Sequence, residues 1–326
     1  MYYKPYDSFF LSKQTWRLHL WDELGIPHKK EKQEFGSVLC IISFKVNPNT
    51  MMVIMDYSSR KELLSLIRDF AITWKKHILK KFQCIVGHIN WVLNVFPLLH
   101  PGLSALYAKT AGKESDFANI RVNAAVDRKL TWIASRVESS TGVHFLKSIE
   151  WDPRSTDLNA FTFFMDASSL GIAFFLPCAK LAYQCPSPSP ELSQHIFFHE
   201  ALAVCSVFHH FVAAYFQSVT HRLVIYTDCS NTFDIFSSLR AIAPYNQLLI
   251  SAMNVILDHE IDFHILHVQG INNPITDALL CFKNDLAISL CPGLIIQTFE
   301  PPQDVLGVAS KNGYRHIDTP LLHLCA

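Results

Sequence analysis

The densest apolar patterning in the chain falls between residues 160 and 285. Phe161, Phe163 and Met165 alternate with Thr162, Phe164 and Asp166, which predicts a strand over 161–166. Gly171 then opens a second apolar strand, 171–176, after a short turn. A third strand (179–184), a long helical run (193–216), a strand (222–228), two helices (230–240 and 245–259), a strand (262–268) and a helix (274–282) follow. Three strands in a meander, then alternating helices and strands, predict an α/β domain with a mixed five-stranded sheet and flanking helices. The Pro-Ser loop at 185–191 fits neither strand nor helix and is expected to join the two halves.

Upstream the pattern is sparser. A helix at 13–24 ends at Gly25 and Pro27. A basic loop at 28–33 leads to a hairpin made of the runs 37–46 and 50–55, joined at Asn47-Pro48-Asn49. This piece, 1–55, is too small for a domain of its own, and its strands need a partner sheet, so it is expected to be a truncated remnant. Residues 56–159 are mostly helical. Leu63, Leu64, Ile67, Phe70 and Ala71 recur at helical spacing with Ser58 or Ser59 as N-cap, and a second helix is broken near Pro97 and Pro101. Between them Lys75, Lys76, Lys80 and Lys81 make a basic elbow suited to phosphates, or simply a soluble loop. A helix at 116–140 and a strand-like segment at 143–151 lead into the α/β region, 160–285. Residues 286–326, with Pro292, Pro301, Pro302 and few periodic apolar positions, are expected to form a surface tail.

Half of the 326 residues are hydrophobic, ample for a packed core. Nine Cys without a CxxC pair point to a reduced intracellular compartment, with cytoplasm and nucleus indistinguishable. No charged segment followed by an apolar one opens the chain, so no leader peptide is expected. The most apolar helix carries His195, His199, Glu200, His209 and His210, which favours a buried helix over a membrane span. Net charge is zero but unevenly divided. Residues 60–147 hold fourteen Lys and Arg against six acids, whereas 160–285 hold four against ten. That division suits a polyanion gripped by the first stretch and cut by metals in the second, or simply solvated helix faces that differ in charge.

Four acids occupy places of one kind. Asp166 ends a strand, Glu200 lies inside the long apolar helix, Asp228 ends a strand, and Asp277 sits one turn into the helix that opens at Asn273-Pro274. Each has an ordinary reading. Asp166 starts a turn, Glu200 pairs with His199 or His209, Asp228 caps a helix, and Asp277 favours a helix dipole. Together they form an oxygen-rich set of the sort that holds two Mg²⁺ ions about 4 Å apart, with Mn²⁺ the alternative, for phosphodiester hydrolysis. The histidines at 195, 199, 209 and 210 lack the Cys/His partners of a zinc site.

The α/β region resembles the ribonuclease H domain of retroelement polyproteins, through FMDASSLG, HEALAV, YTDCSNTF and HVQGINNPITDAL. Upstream, LWDELGIPHKKEKQ, the hairpin and GHINWVLNVFPLLHPGLSALYAK resemble the end of the palm, the thumb and the connection of a retrotransposon reverse transcriptase of the kind common in fungal elements. The resemblance implies cleavage of the RNA strand of RNA–DNA hybrids, with Asp166, Glu200, Asp228 and Asp277 as catalytic metal ligands. Ser168 and Asn231 become candidates for contacts to the hybrid's backbone or 2′-hydroxyls, or serve equally well as turn or cap residues, and Lys32 becomes a candidate for the incoming nucleotide. The chain departs from the pattern in three ways: it has no Tyr-x-Asp-Asp, Ser43 stands where the family's hairpin carries Gly, and its last-strand loop lacks the usual His, with His267 earlier on the strand. This chain is therefore expected not to polymerise DNA by itself, with a separate polymerase-bearing chain a candidate partner, and an inactive nucleic-acid-binding remnant is the alternative.

Overall fold

The computed structural model describes residues 1–34, 36–145, 151–153, 160–188, 196–215 and 222–306. At the N-terminus β1 (Tyr2–Tyr3) and β2 (Ser8–Phe9) pair antiparallel ahead of α1 (Ser12–Glu23). Gly25 adopts a left-handed backbone (φ +66°) and turns the chain off this helix. Tyr3, Phe10 and Leu18 close a small local core. The run expected as one hairpin is a three-stranded meander: β3 (Leu39–Ile41), β4 (Phe44–Asn47) and β5 (Met52–Met55). The additional reversal falls at Ile42 and Ser43, whose φ values of 49° and 67° match a two-residue primed turn. Periodicity hid it because a β-branched residue is a poor marker for such a turn.

Helix α2 (Tyr57–Phe70) is capped by Asp56, whose Oδ2 accepts from the Ser58 amide, and not by Ser58 or Ser59. The expected basic elbow is a short strand, β6 (Lys76–Ile78), paired antiparallel with β7 (Asn119–Arg121) and running into α3 (Leu79–Val92). Pro97 and Pro101 lie in a 3-10 turn that leads to α4 (Ser104–Thr110). Helix α5 (Ala124–Ser139) begins at Ala124 rather than at 116, because 119–121 pair as β7 and Asn123 supplies the cap. Strand β8 (Val143–Phe145) joins β5; residues 146–150 of the expected strand lie outside the described residues. Leu63, Ile67, Phe82, Ile89, Leu103, Leu130 and Ile133 share one core.

The α/β region follows the expected element order. Strands β9 (Ala160–Ala167), β10 (Gly171–Leu176) and β11 (Leu181–Pro186) form an antiparallel meander. Helix α6 (Ile196–Tyr215) carries the chain to β12 (Arg222–Thr227), parallel to β9, as a parallel neighbour requires of its crossover. Helices α7 (Ser230–Ser238) and α8 (Tyr245–Asp258) lead to β13 (Asp262–His267), which is parallel to β12. Helices α9 (Pro274–Leu280) and α10 (Asn284–Leu290) precede β14 (Ile295–Thr298).

The sheet has six strands, not five, in the order β13-β12-β9-β10-β11-β14. The sixth comes from the stretch expected as a tail. Four residues framed by Pro292, Gly293 and two later prolines are too few to show an alternation, yet they pair parallel with β11. Beyond β14, Phe299 packs on Phe174 with ring centroids 4.7 Å apart, and Asp304 accepts from the Ser251 hydroxyl at 2.7 Å. Residues 307–326 lie outside the described residues.

Helix α6 is long and apolar enough to cross a membrane, but most of it is buried between the sheet and α8. On the sheet's other face Ala173, Phe175 and Ala182 pack beneath Ala278, Leu279 and Leu280 of α9. The helical region meets the α/β region along α5 and α8. Trp132 Nε1 donates to Asn254 at 2.8 Å, Arg136 donates to Asn254 and to both Asp258 oxygens, and Lys129 donates to Asn246. Positions 129, 132 and 136 share one helix face, and the turn at 97–103 adds to the junction: Asn246 Nδ2 donates to the Pro101 carbonyl at 2.9 Å and Arg240 Nε to His100 Nε2 at 3.1 Å.

Candidate metal centre

Parallel pairing of β9 with β12 brings the C-terminal ends of both strands to one edge of the sheet. Asp166 is the penultimate residue of β9, and Asp228 directly follows β12. Glu200 lies in the second turn of α6, which packs across β9. These three placements converge: one carboxylate oxygen from each of Asp166, Glu200 and Asp228 lies within 4.8 Å of the others. Among the described residues this is the one group of three or more acids, His or Cys with such convergence, and it could hold a metal ion.

The cluster is electrostatically unfavourable as it stands. Asp166 and Glu200 are only 8% and 6% exposed, and Asp228 is partly buried. Burial, and next the charge of Asp228, pushes the Asp166 pKa well above the ordinary carboxylate range. Burial, followed by the neighbouring charges of Asp166 and Asp228, raises Glu200 as well. Asp228 is raised mainly by burial. Glu200 shares a hydrogen bond with Asp166, and its Oε2 is buried with no partner. Asp166 Oδ1 accepts from the Ala167 amide at 2.8 Å, which fixes that carboxylate's orientation. A buried, unpartnered oxygen amid mutually repelling carboxyls, all of them hard donors, fits an oxygen-seeking divalent cation.

The fourth predicted acid stands apart. Asp277 is exposed in the first turn of α9 and outside the converging trio, although its charge acts on both Asp166 and Asp228. Asn273 precedes it at the helix start, but its side chain makes no cap. Its Nδ2 instead donates to the Met165 carbonyl at 3.1 Å, tying α9 to β9 one residue before Asp166.

The histidines considered as partners of Glu200 are engaged elsewhere. His199 contacts the Ser187 hydroxyl and the Ser168 carbonyl, while His209 bonds Ser251. His195 lies outside the described residues. The Ser168 hydroxyl accepts from the Leu170 and Gly171 amides at 3.1 and 3.3 Å, so it serves the turn. Asn231 is exposed on α7 and lines a cleft of about 880 Å³ with Tyr107, Ile235 and Tyr245. Lys75, Lys76, Lys80 and Lys81 are all exposed in the helical region. Lys75 donates to the Asp69 carbonyl, and Lys80 pairs with Asp116 at 3.8 Å. Lys32 is exposed in a 3-10 turn at 30–32. The acids lie in the α/β region, whereas Lys76 lies on β6 with Lys75 just before it, Lys80 and Lys81 lie on α3, and Lys32 lies in the N-terminal stretch.

One neighbour of the cluster, Gly270, escaped the sequence reading. A Cβ at Gly270 would come within 3.0 Å of Asp228 Oδ2, so glycine here leaves room for that carboxylate; its isolation in the loop after β13 was the available signal. His267, at the end of β13, has Nε2 3.1 Å from the Asp228 carbonyl oxygen.

No protein-family model matches the sequence, and neither does any curated protein. The chain is similar at the level of structure to a foamy viral protease-reverse transcriptase dRH in complex with ds DNA. The TM-score is 0.29 and the identity 11%, over 80% of this chain and 44% of that one. A second structure, the foamy viral protease-reverse transcriptase in complex with dsDNA, has a TM-score of 0.29 and 12% identity, over 74% of this chain and 46% of that one. The chain spans less than half the length of either.

Proposed function

We propose that the α/β region is a ribonuclease H-like endonuclease that hydrolyses the RNA strand of RNA–DNA hybrids, carried on part of a retroelement reverse transcriptase. The observation that supports it most is the convergence of Asp166, Glu200 and Asp228 within 4.8 Å, with Glu200 Oε2 buried and unpartnered. Asp166, Glu200 and Asp228 would hold Mg²⁺, with Asp277 completing the set for a second ion. Bound Mg²⁺ supplies an activated water and offsets the charge that builds on the phosphate oxygens.

The chain's own residues prepare that chemistry. The Ala167 amide orients Asp166, and the hydrogen bond between Glu200 and Asp166 holds a proton that a cation displaces. The link from Asn273 to Met165 sets the position of α9 and with it Asp277. The exposed lysines of the helical region supply attraction for the polyanion.

The test is cleavage of an end-labelled RNA–DNA hybrid by the full chain, with Mg²⁺ or EDTA. Wild type should cut the RNA strand only with the metal, and Asp166→Asn should abolish cutting. Activity surviving that substitution would overturn the reading. The exposed, separate position of Asp277 favours one rival, an inactive remnant of the same fold, and silence of the wild type in Mg²⁺ and in Mn²⁺ would establish it.

A further inference from the structure

Trp74 is held in a backbone conformation that a tryptophan disfavours, with φ at +73°. Burial does not offset the strain, because Trp74 is 70% exposed. Its backbone is locked in place: the Trp74 amide donates to the Val122 carbonyl, and the Val122 amide to the Lys75 carbonyl, both at 2.9 Å. The chain thus fixes an indole at the surface at some cost to its own stability.

A second cost lies beside it. In the antiparallel ladder of β6 and β7, Lys76 stands directly opposite Arg121, and both are exposed. Like charges facing each other across a strand pair destabilise it. Among the described residues no carboxylate lies within ion-pair distance of either cation. The nearby Asp116 pairs with Lys80, and Asp127 accepts from Thr73. The Arg121 guanidinium lies over the Trp74 ring, 5.7 Å from its centroid. Two unneutralised cations and one open aromatic face are therefore presented together.

A ligand that places an anion between the cations and a flat ring on the indole would relieve the repulsion and use the strained side chain. A nucleotide unit has both parts. We propose that Trp74, Lys76 and Arg121 form a docking site for single-stranded nucleic acid, in which the indole stacks on an unpaired base and the two cations bind its phosphate. In a duplex the base faces are covered by their neighbours, so an exposed indole selects unpaired strands. The site shares no residue with the acid cluster and needs no metal.

Fluorescence anisotropy of a labelled oligothymidylate, and of an abasic strand of equal length, with the full chain in EDTA tests this. Glycine tolerates positive φ, so Trp74→Gly should melt no lower than wild type by circular dichroism. It should nevertheless bind oligothymidylate roughly tenfold or more weakly, while the abasic strand binds as before. Trp74→Tyr should keep most of the preference for base-bearing strands. The double variant Lys76→Ala with Arg121→Ala should weaken both strands and make the logarithmic salt dependence shallower by about 0.7.

Unchanged oligothymidylate affinity in Trp74→Gly would overturn the proposal, as would equal binding of duplex and single strand. Trp74-dependent binding to phosphatidylserine vesicles without oligonucleotide binding would overturn it in favour of a membrane surface. Asp166→Asn should bind like wild type, so failure here is distinguishable from failure of the nuclease reading.

Discussion

At the scale of single residues, Glu200 and Asp166 show how placement changes a carboxyl group. Free in water both would be charged at neutral pH, but buried together they favour sharing a proton. Because their folded pKa values lie above the unfolded ones, the folded chain binds more protons than the unfolded chain. The stability they contribute is present in acid and is lost as pH rises through the folded values. In EDTA, thermal melts should therefore fall between about pH 5 and pH 9, whereas saturating Mg²⁺ should flatten that fall. Glu200→Gln removes one source of repulsion. It should raise the melting temperature of the metal-free chain at alkaline pH and abolish cation-induced stabilisation, both read by calorimetry. Gly270→Ala should leave the melt nearly unchanged while lowering hybrid cleavage, since the new methyl crowds Asp228 Oδ2.

Individual elements were legible where their periods were long. Helix α6 and strands β9, β10, β12 and β13 fell within a few residues of the expected places because a buried helix and core strands must be apolar at fixed spacing. Short elements were not. Strands β6 and β7 have three residues each, and β14 four, too few to carry a period; they exist because a neighbouring backbone offers hydrogen bonds. The Ile42-Ser43 turn is similar, dictated by the pairing on either side of it. Replacing the pair with Asn-Gly, which suits that turn, should stabilise the fold by about 1 kcal/mol in chemical denaturation. At the start of α9, Asn273→Ala should cost about 1–3 kcal/mol by stripping the Met165 carbonyl of its donor. It should also reduce cleavage more than an exposed substitution on α10 does.

Across the whole molecule, the C-terminal segment is part of the α/β sheet. Strand β14 covers the edge of β11, and Phe299, Asp304 and Val305 continue onto the core. Ending the chain after Leu290 should therefore destabilise it by at least about 2 kcal/mol and promote association through the bared β11 edge, measured by melting and size-exclusion chromatography. The sequence alone determined the order of the long elements, because hydrophobic period is a local property of the chain. It also singled out four acids, two at strand ends, one inside a helix and one at a helix start. Which acids meet was decided only by the tertiary structure. Parallel pairing of β9 with β12 and the crossing of α6 over β9 bring 166, 200 and 228 together, while the short helix bearing Asp277 leaves that side chain in solvent. Convergence depends on contacts between residues far apart in the chain, and no local pattern encodes the distance between them.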